Sequence, residues 1–254
     1  MSADDHELAA RLAREAGESL LDLRERTAST TDPNALGAEG DRTAHDLLVA
    51  ALAQARPQDP VLSEHGVSGP PRESADRVWI IDPLDGTREF SEAGRTDWAV
   101  HVALAEDHQI TASAVALPAH GRVLGTGAPP KQPSHGIAHP RLAVSRSRPP
   151  EFVRELAESL GAETVPMGSA GAKISAVVLG EVDAYMHAGG QYEWDSAAPV
   201  GVARAAGLHT SRVDGSPLHY DLPDPWLPDL LVCRRELAAD LLAALPGNLT
   251  EGSR

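Results

Sequence analysis

The stretch that decides the fold is Val78-Trp79-Ile80-Ile81-Asp82-Pro83-Leu84-Asp85-Gly86-Thr87. Its first four residues are apolar and predict a buried strand, which leads directly into the carboxylates Asp82 and Asp85. Pro83 restricts φ between them, and Gly86 permits a tight turn because it has no side chain. The sequence therefore predicts a strand that ends in a turn and directs two carboxylates toward one point.

Oxygen donors in this arrangement suit Mg²⁺, which prefers carboxylate and carbonyl ligands. The carbonyl of Leu84 can join the two carboxylates, and Thr87 then begins a helix whose free N–H groups face a phosphate. The residues alone also allow an ordinary strand-end turn with a helix cap, since Asp-Pro and Asp-Gly are common turn dipeptides. A metal and phosphate site is therefore one of two hypotheses for this stretch.

A second acidic stretch, Glu193-Trp194-Asp195-Ser196-Ala197-Ala198, begins a run of small residues. Asp195 directly precedes a predicted helix, where an acid is commonly an N-cap. The small residues after it allow that helix to approach another element closely. On its own this stretch favours the N-cap interpretation over a metal ligand.

Apolar periodicity predicts the elements around the first motif. We predict a helix over 6–26, a loop over 27–40 rich in Thr, Pro, Asn and Gly, and a second helix that begins at Asp41. After the motif, runs of Ala and Val predict strands over 99–104 and 110–117 that are buried on both faces. The N-terminal half is therefore predicted to be α+β.

The second half alternates between strand and helix patterns after a Gly- and Pro-rich stretch over 125–140. The predicted strands and helices are 141–145, 149–160, 163–167, 170–179, 182–187, 195–206 and 208–213. Such alternation is typical of an α/β layered sheet. We predict two domains, an N-terminal α+β domain over 1–138 that carries the metal motif and a C-terminal α/β domain over 139–254 that completes the site.

Composition excludes several classes of protein. The chain has 254 residues with 22 Lys and Arg against 37 Asp and Glu, a net charge of −15 that disfavours nucleic acid polymers and anionic membranes. Its single cysteine, Cys233, rules out a disulfide framework within the chain and a zinc cage of thiolates. With no secretory signal and no apolar stretch of membrane length, we expect a cytoplasmic protein.

Together, Asp82–Thr87 and Trp194–Ala198 resemble the paired signature of the inositol monophosphatase superfamily of Mg²⁺-dependent, lithium-sensitive phosphatases. The resemblance extends from about residue 6 to residue 235 and implies a layered αβαβα sugar-phosphatase fold. It also implies a ligand set for two or three Mg²⁺ ions, made of Glu64, Asp82, Asp85, Asp195 and the carbonyl of Leu84.

Residues outside the two motifs also match the family. Glu64 resembles a metal-bridging glutamate, although His65 stands where a second acid is usual. Asp41 resembles the aspartate that hydrogen-bonds the catalytic threonine, here Thr87. The resemblance implies that this pair activates a water, while the N–H groups of Gly86 and Thr87 hold phosphate oxygens.

Three stretches relate the chain to the 3′-phosphoadenosine 5′-phosphate phosphatases of the superfamily, the CysQ-type branch. Arg88-Glu89-Phe90, after Thr87, resembles the continuation of the motif in that branch. Ser145-Arg146-Ser147 resembles its nucleotide-contacting segment and offers donors for a second phosphate, although a helix cap before two prolines is an equal alternative. Gly168, Ser169 and Lys173 resemble the family's Gly-Ser…Lys segment with one extra residue.

The resemblance implies a small phosphorylated metabolite as partner and hydrolysis of the 3′-phosphate of 3′-phosphoadenosine 5′-phosphate to AMP; a homodimer is a further expectation. An inositol monophosphatase or fructose-1,6-bisphosphatase is the first alternative, because one metal centre serves several substrates. The second is a non-catalytic sensor of metal and phospho-ligand, which needs the metal ligands but not the pair Asp41 and Thr87. Because both members of that pair are present, the sequence favours an enzyme.

Overall fold

The protein is described by a computed structural model that covers residues 3–27, 32–132, 136–137 and 139–245. Its helices are α1 (Ala3–Thr27), α2 (Pro33–Ala55), α3 (Thr87–Ser91), α4 (Glu151–Leu160), α5 (Ala170–Val178), α6 (Ala197–Ala205) and α7 (Ala238–Ala244). Its strands are β1 (Val61–Ser63), β2 (Gly66–Ser68), β3 (Arg77–Asp85), β4 (Ala99–Glu106), β5 (Gln109–Leu117), β6 (Arg122–Gly125), β7 (Arg141–Ser145), β8 (Glu163–Met167), β9 (Ala184–Tyr192), β10 (His209–Ser211) and β11 (Trp226–Cys233).

The first sheet has the strand order β2-β1-β3-β4-β5-β6, and only β1 and β3 pair in parallel. Helices α1 and α2 cover one of its faces, where Leu12 and Leu48 belong to one buried cluster with Trp79 and Val102. Because β4 and β5 are buried on both faces, their Ala- and Val-rich sequences show no polar alternation.

Helices α5 and α6 form the middle layer, between the two sheets. Ile80 and Val115 from the first sheet share a buried cluster with Val200 of α6 and Leu230 of the second sheet. A Cβ on Gly201 of α6 would lie 2.4 Å from Oγ of Ser113. The small residues of α6 thus permit the close approach that the sequence predicted.

The second sheet has the order β10-β11-β9-β7-β8, with β7 parallel to both of its neighbours. Helices α4 and α7 cover its outer face, where Val153 and Leu241 pack with Leu142 and Cys233. The layers therefore follow one another in the order helix, sheet, helix, sheet, helix. The predicted αβαβα fold is confirmed, and Cys233 is buried and forms no disulfide.

Helix α2 begins eight residues earlier than predicted. Asp32 caps it by accepting hydrogen bonds from the N–H groups of Asn34 and Ala35. Gly37 and Gly40, which suggested a loop, lie inside the helix, where a Cβ would come within 2.7 Å of Thr87 and Phe90 respectively. These glycines allow close packing rather than ending the helix.

Strands β3 and β9 depart most from their predicted extents. Strand β3 continues through the carboxylate motif to Asp85 instead of ending before it, and β9 runs on to Tyr192. Strand β11 was not predicted, because Pro228 and Asp229 interrupt its apolar pattern. The buried Asp229 is neutralised by Arg212, whose Nε donates to Oδ1 at 2.8 Å.

The predicted domain boundary at residue 138 lies outside the described residues, as does part of the stretch 125–140. The division into two domains stays a prediction, and the middle cluster of α5 and α6 contains residues from both proposed domains. Within the described ranges, every helix is too short or too polar to span a bilayer.

Candidate functional site

Three carboxylates converge where the end of β3 meets the short turn between β9 and α6. One oxygen each of Asp82, Asp85 and Asp195 lies within 4.8 Å of the others. The pairing of β3 with β4 shifts register between Asp82 and Asp85, so that two residues three positions apart can face one point. Asp195 comes from the short turn of 3₁₀ helix before α6.

Asp195 is not the N-cap that its local sequence suggested. Ser196 holds that position in α6, and the carboxylate of Asp195 instead accepts the N–H of Tyr192 at 2.7 Å. Likewise, Oδ1 of Asp82 accepts a hydrogen bond from the N–H of Leu84 at 3.0 Å. Backbone donors thus orient these side chains before any ligand binds.

The cluster carries more negative charge than its surroundings compensate. Burial, followed by the charges of Asp85 and Asp195, raises the pKa of Asp82 well above its usual value. Burial and then the charge of Asp85 raise the pKa of Asp195 to about 7. A bound cation would relieve this repulsion, so the cluster is suited to a metal ion.

Asp85 is held by the first residues of α5. Its Oδ2 accepts hydrogen bonds of 2.5 Å from Oγ of Ser169 and from the N–H of Gly171, and its Oδ1 accepts the N–H of Ala170 at 3.2 Å. Ser169, predicted to contact substrate, therefore orients a carboxylate and also caps α5. Its φ of +49° is rare for a non-glycine residue.

His101 is a site residue that the sequence motifs did not identify. Its Nε2 lies 3.3 Å from Oδ2 of Asp85, and its Nδ1 is 2.9 Å from the carbonyl of Trp194, so it bridges both motifs. It pairs with Asp82 across β3 and β4. A Cβ on Gly171 would lie 1.9 Å from Nε2 of His101, so only glycine permits this approach.

A second cluster lies between α2 and the loop after β1. Side-chain ligand atoms of Asp41, Glu64 and His65 lie within 4.8 Å of one another, and Nε2 of His65 is 2.8 Å from Oδ2 of Asp41. Loss of hydration, followed by the charge of Asp41, a side-chain hydrogen bond with Asp41 and the charges of Asp195 and Asp85, raises the pKa of Glu64 to about 7. Glu64 therefore interacts electrostatically with both clusters.

The hydrogen bond expected between Asp41 and Thr87 is absent from the described structure. The hydroxyl of Thr87 donates to the carbonyl of Leu84 at 3.1 Å, because the tight turn at Gly86 (φ +88°) brings the start of α3 back over the motif. Oδ1 of Asp41 is buried without a hydrogen-bond partner. Both residues nevertheless line one cavity of about 890 Å³, together with Glu64 and Arg88.

Most of the predicted substrate contacts line another cavity, of about 730 Å³, which also reaches two of the aspartates. Its lining includes Asp85, Gly86, Ser145, Ser147, Arg148, Ser169, Lys173, Tyr192, Asp195 and Trp226. Lys173 is buried, and its Nζ lies 5.1 Å from the centre of the Tyr185 ring. Burial lowers the pKa of Lys173, although nearby carboxylates oppose that shift.

Arg146 is placed differently from the expectation. Its guanidinium donates to Glu89 at 2.9 Å and to Glu92 at 2.8 Å, and it is absent from the lining of this cavity. Arg148 lines the cavity instead. The alternative of a helix cap is also not realised, because Oγ of Ser145 accepts the N–H of Arg148 while α4 begins after Pro150.

Comparison with known proteins extends over nearly the whole chain. Residues 4–248 match the inositol monophosphatase family. The 3′-phosphoadenosine 5′-phosphate phosphatase of Mycobacterium leprae is 51% identical over 257 residues, which cover 95% of this chain and 93% of the relative. The 3′(2′),5′-bisphosphate nucleotidase CysQ of Escherichia coli K12 is 30% identical, with 82% and 91% covered. The crystal structure of staphylococcal IMPase-II has a TM-score of 0.79 at 22% identity, with 97% and 96% covered.

Proposed function

Because the chain belongs to the inositol monophosphatase family, we propose that it hydrolyses the 3′-phosphate of 3′-phosphoadenosine 5′-phosphate, giving AMP and phosphate. The observation that carries this proposal is the 51% identity to a phosphatase named for that substrate, over 95% of the chain. Fold similarity to IMPase-II at 22% identity does not favour inositol phosphates, because it concerns the fold alone. The relatives' names also support an enzyme over a non-catalytic sensor.

The acidic residues fit Mg²⁺ as the metal. Asp82, Asp85, Asp195, Glu64 and the carbonyl of Leu84 offer only oxygen donors, which suit hard cations. Burial and the charges of the neighbouring carboxylates raise the pKa values of Asp82 and Asp195, and a cation beside them would offset that repulsion. When bound, Mg²⁺ supplies charge neutralisation for phosphoryl transfer and makes water more acidic.

The protein's own residues prepare the reaction by positioning donors and acceptors. Because the Thr87 hydroxyl donates to the Leu84 carbonyl, its oxygen lone pairs can accept a hydrogen bond from water and orient that water. Thr87 can take the proton of the water only as its own hydroxyl proton passes to an acceptor, and the unpartnered Oδ1 of Asp41, in the same cavity, is that acceptor once the hydroxyl turns from Leu84 toward it. The N–H groups of Gly86 and Thr87 hold the reacting phosphate in this proposal, and Lys173 adds positive charge beside Asp85.

The test is turnover on 3′-phosphoadenosine 5′-phosphate, inositol 1-phosphate and fructose 1,6-bisphosphate at equal concentration, with Mg²⁺ and with a chelator. We expect the bisphosphate nucleotide to have the highest kcat/KM and chelation to abolish activity. Asp85→Asn should lower turnover by several orders of magnitude without unfolding the protein. Faster hydrolysis of inositol 1-phosphate, or substantial activity in the chelator, would contradict the proposal.

We also propose a partner, a location and an assembly state for this enzyme. Its partner is a small phosphorylated nucleotide, and the described residues contain no helix suited to a membrane. A cytoplasmic location and a homodimer are proposed in keeping with the single buried cysteine and the sequence analysis. Sedimentation of the purified protein tests the dimer.

A further inference from the structure

We propose that Asp97 is a positioning residue for the metal cluster. It lies in the loop between α3 and β4, and its carboxylate holds the turn of Gly168 and Ser169 at the start of α5. Through that turn it fixes the direction of Asp85, one of the carboxylates assigned to Mg²⁺. The inference rests on the proposed function, because it gives Asp97 an effect on the binding of that metal ion.

The side chain of Asp97 is buried and is bound to the backbone that leads into α5. Its Oδ2 accepts a hydrogen bond of 2.5 Å from the N–H of Gly168 and another from the guanidinium of Arg95. The arginine compensates the charge of the carboxylate, which would otherwise be costly to remove from water. A backbone N–H is held more firmly by a charged acceptor than by a neutral oxygen. Asp97 therefore determines where the chain enters α5.

The turn at Gly168 is held from several sides. Its carbonyl accepts a hydrogen bond from Nζ of Lys173 at 3.4 Å. A Cβ at position 168 would lie 2.2 Å from Cδ of Glu89, so glycine allows α3 to approach the turn. Ser169 then adopts a φ of +49°, a backbone conformation that serine keeps only where its neighbours enforce it. The hydrogen bond to Asp97 is one of those constraints.

The same turn orients a carboxylate of the metal cluster. Oγ of Ser169 and the N–H of Gly171 each donate to Oδ2 of Asp85 at 2.5 Å. In the described ranges no hydrogen bond joins Asp97 to Asp85, so its effect on the orientation of that carboxylate passes through the start of α5. Groups that hydrogen-bond to a metal ligand set its orientation, and replacing them lowers metal affinity by roughly 10- to 100-fold.

The backbone of Asp97 also packs against the turn of the first motif. A Cβ on Gly86 would lie 3.3 Å from the carbonyl oxygen of Asp97 and 3.0 Å from Cβ of Ser169, so these two residues flank that turn. On its other side, the loop is fixed by Arg24 of α1, which donates to the carbonyl of Arg95 at 2.8 Å. Because its own position is fixed in this way, Asp97 can hold the start of α5 in place.

The test is the binding of Mg²⁺ to the full chain, measured by isothermal titration calorimetry without substrate. We expect Asp97→Ala to raise the Kd for Mg²⁺ about tenfold, the lower end of the range for partners of metal ligands. Asp97→Asn should retain most of the affinity, because its amide oxygen can still accept the N–H of Gly168. Both variants lose the same charge, so the difference between them reports the hydrogen bond. In turnover, the Mg²⁺ concentration for half-maximal rate should rise with the Kd, while kcat at saturating Mg²⁺ changes less.

Asp59→Ala is the matched control. Oδ2 of Asp59 likewise accepts hydrogen bonds from an arginine, Nε of Arg77 at 3.1 Å, and from a second donor, Nε1 of Trp79 at 3.0 Å. These contacts lie at the start of β3, whereas the metal carboxylates lie at its end. The control should lower the Tm and leave the Kd for Mg²⁺ unchanged. An increase in Kd equal to that of Asp97→Ala would overturn the proposal.

A Ser169→Ala variant shows whether the effect passes through the turn. The losses of Mg²⁺ affinity in Asp97→Ala and Ser169→Ala should add to less than their sum in the double variant, because both act on Asp85 by one route. Simple additivity, or a wild-type Kd in Asp97→Ala, would overturn the proposal. If Asp97→Ala does not fold, Asp97→Ser, whose hydroxyl is too short to replace the carboxylate, gives the same comparison with Asp97→Asn. A wild-type protein that binds no Mg²⁺ would contradict the proposed function instead, which distinguishes the two failures.

Discussion

Nε2 of His65 lies 2.8 Å from Oδ2 of Asp41, which ties the loop after β1 to the interior of α2. The ring of His45 supports that contact, with its centre 4.4 Å from the ring of His65. A second acid at position 65, as the family resemblance leads one to expect, would repel Asp41. The imidazole instead leaves Oδ1 of Asp41 as the free acceptor of that carboxylate.

Replacing His65 tests whether this contact positions Asp41. We expect His65→Ala to lower kcat about tenfold, because Asp41 loses the partner that fixes its second oxygen, while the Mg²⁺ concentration for half-maximal rate changes little. His65→Gln, which can still donate a hydrogen bond, should retain more activity. Steady-state kinetics across Mg²⁺ concentrations measures both quantities. An unchanged kcat in His65→Ala would show that the contact does not matter for turnover.

The proton acceptors are tested by a double-mutant cycle on Thr87 and Asp41. Thr87→Ala should lower kcat by roughly 10²- to 10⁴-fold, the range for a positioned proton-transfer group. Although the two side chains are not hydrogen-bonded to each other in the structure, a relay makes them act as a unit. The Asp41→Asn and Thr87→Ala losses should therefore not add in the double variant. Simple additivity of the two free-energy changes in kcat would exclude the relay.

Gly171 offers a test of how α5 supports the metal cluster. A Cβ at this position would lie 1.9 Å from Nε2 of His101 and 2.9 Å from Oδ2 of Asp85. Gly171→Ala should therefore displace Asp85 and weaken Mg²⁺-dependent activity by at least tenfold, although alanine favours a helix in general. Activity against Mg²⁺ concentration provides the measurement. If the variant matches the wild-type protein, the close approach of α5 is not required.

The sequence was sufficient to predict that the carboxylates of the two local motifs lie together. Asp82 and Asp85 lie in one motif, and the paired motif with Asp195 implied the fold. The role of His101 depends on the register of β3 with β4 and on the docking of α5, which local sequence does not specify. The start of α2 was missed because Gly37 suggested a loop, whereas its missing side chain accommodates Thr87 in a tertiary contact.

In the segment after β7, the sequence likewise does not determine the directions of single side chains. Arg146 and Arg148 have the same chemistry and follow one strand end, so their sequence does not decide which of them reaches the cavity. In the structure Arg146 forms an ion pair with Glu89, a residue far from it in the chain, whereas Arg148 lines the cavity. Side-chain direction in an irregular segment follows from such partners and not from periodicity.

The raised pKa of Asp195 predicts how pH affects the stability of the metal-free protein. Burial and Asp85 raise this pKa from 3.8 to about 7. The carboxyl group is protonated in both the folded and unfolded states below about pH 4, and between pH 4 and 7 the unfolded chain loses its proton first. The stabilising contribution of protonated Asp195 to the free energy of unfolding is therefore complete below about pH 4. It falls as the pH rises from 4 to 7 and is lost above that range.

Asp195→Asn removes this titration and still offers an oxygen to the N–H of Tyr192. In a chelator at pH 8 the variant should unfold a few degrees higher than the wild-type protein, and near pH 4 the two should differ less. Added Mg²⁺ should raise the Tm of the wild-type protein more than that of the variant, because binding to the folded state stabilises it. Thermal melts followed by circular dichroism at both pH values give these differences. A variant less stable than the wild-type protein at pH 8 in chelator would show that Asp195 is not destabilised by its neighbours.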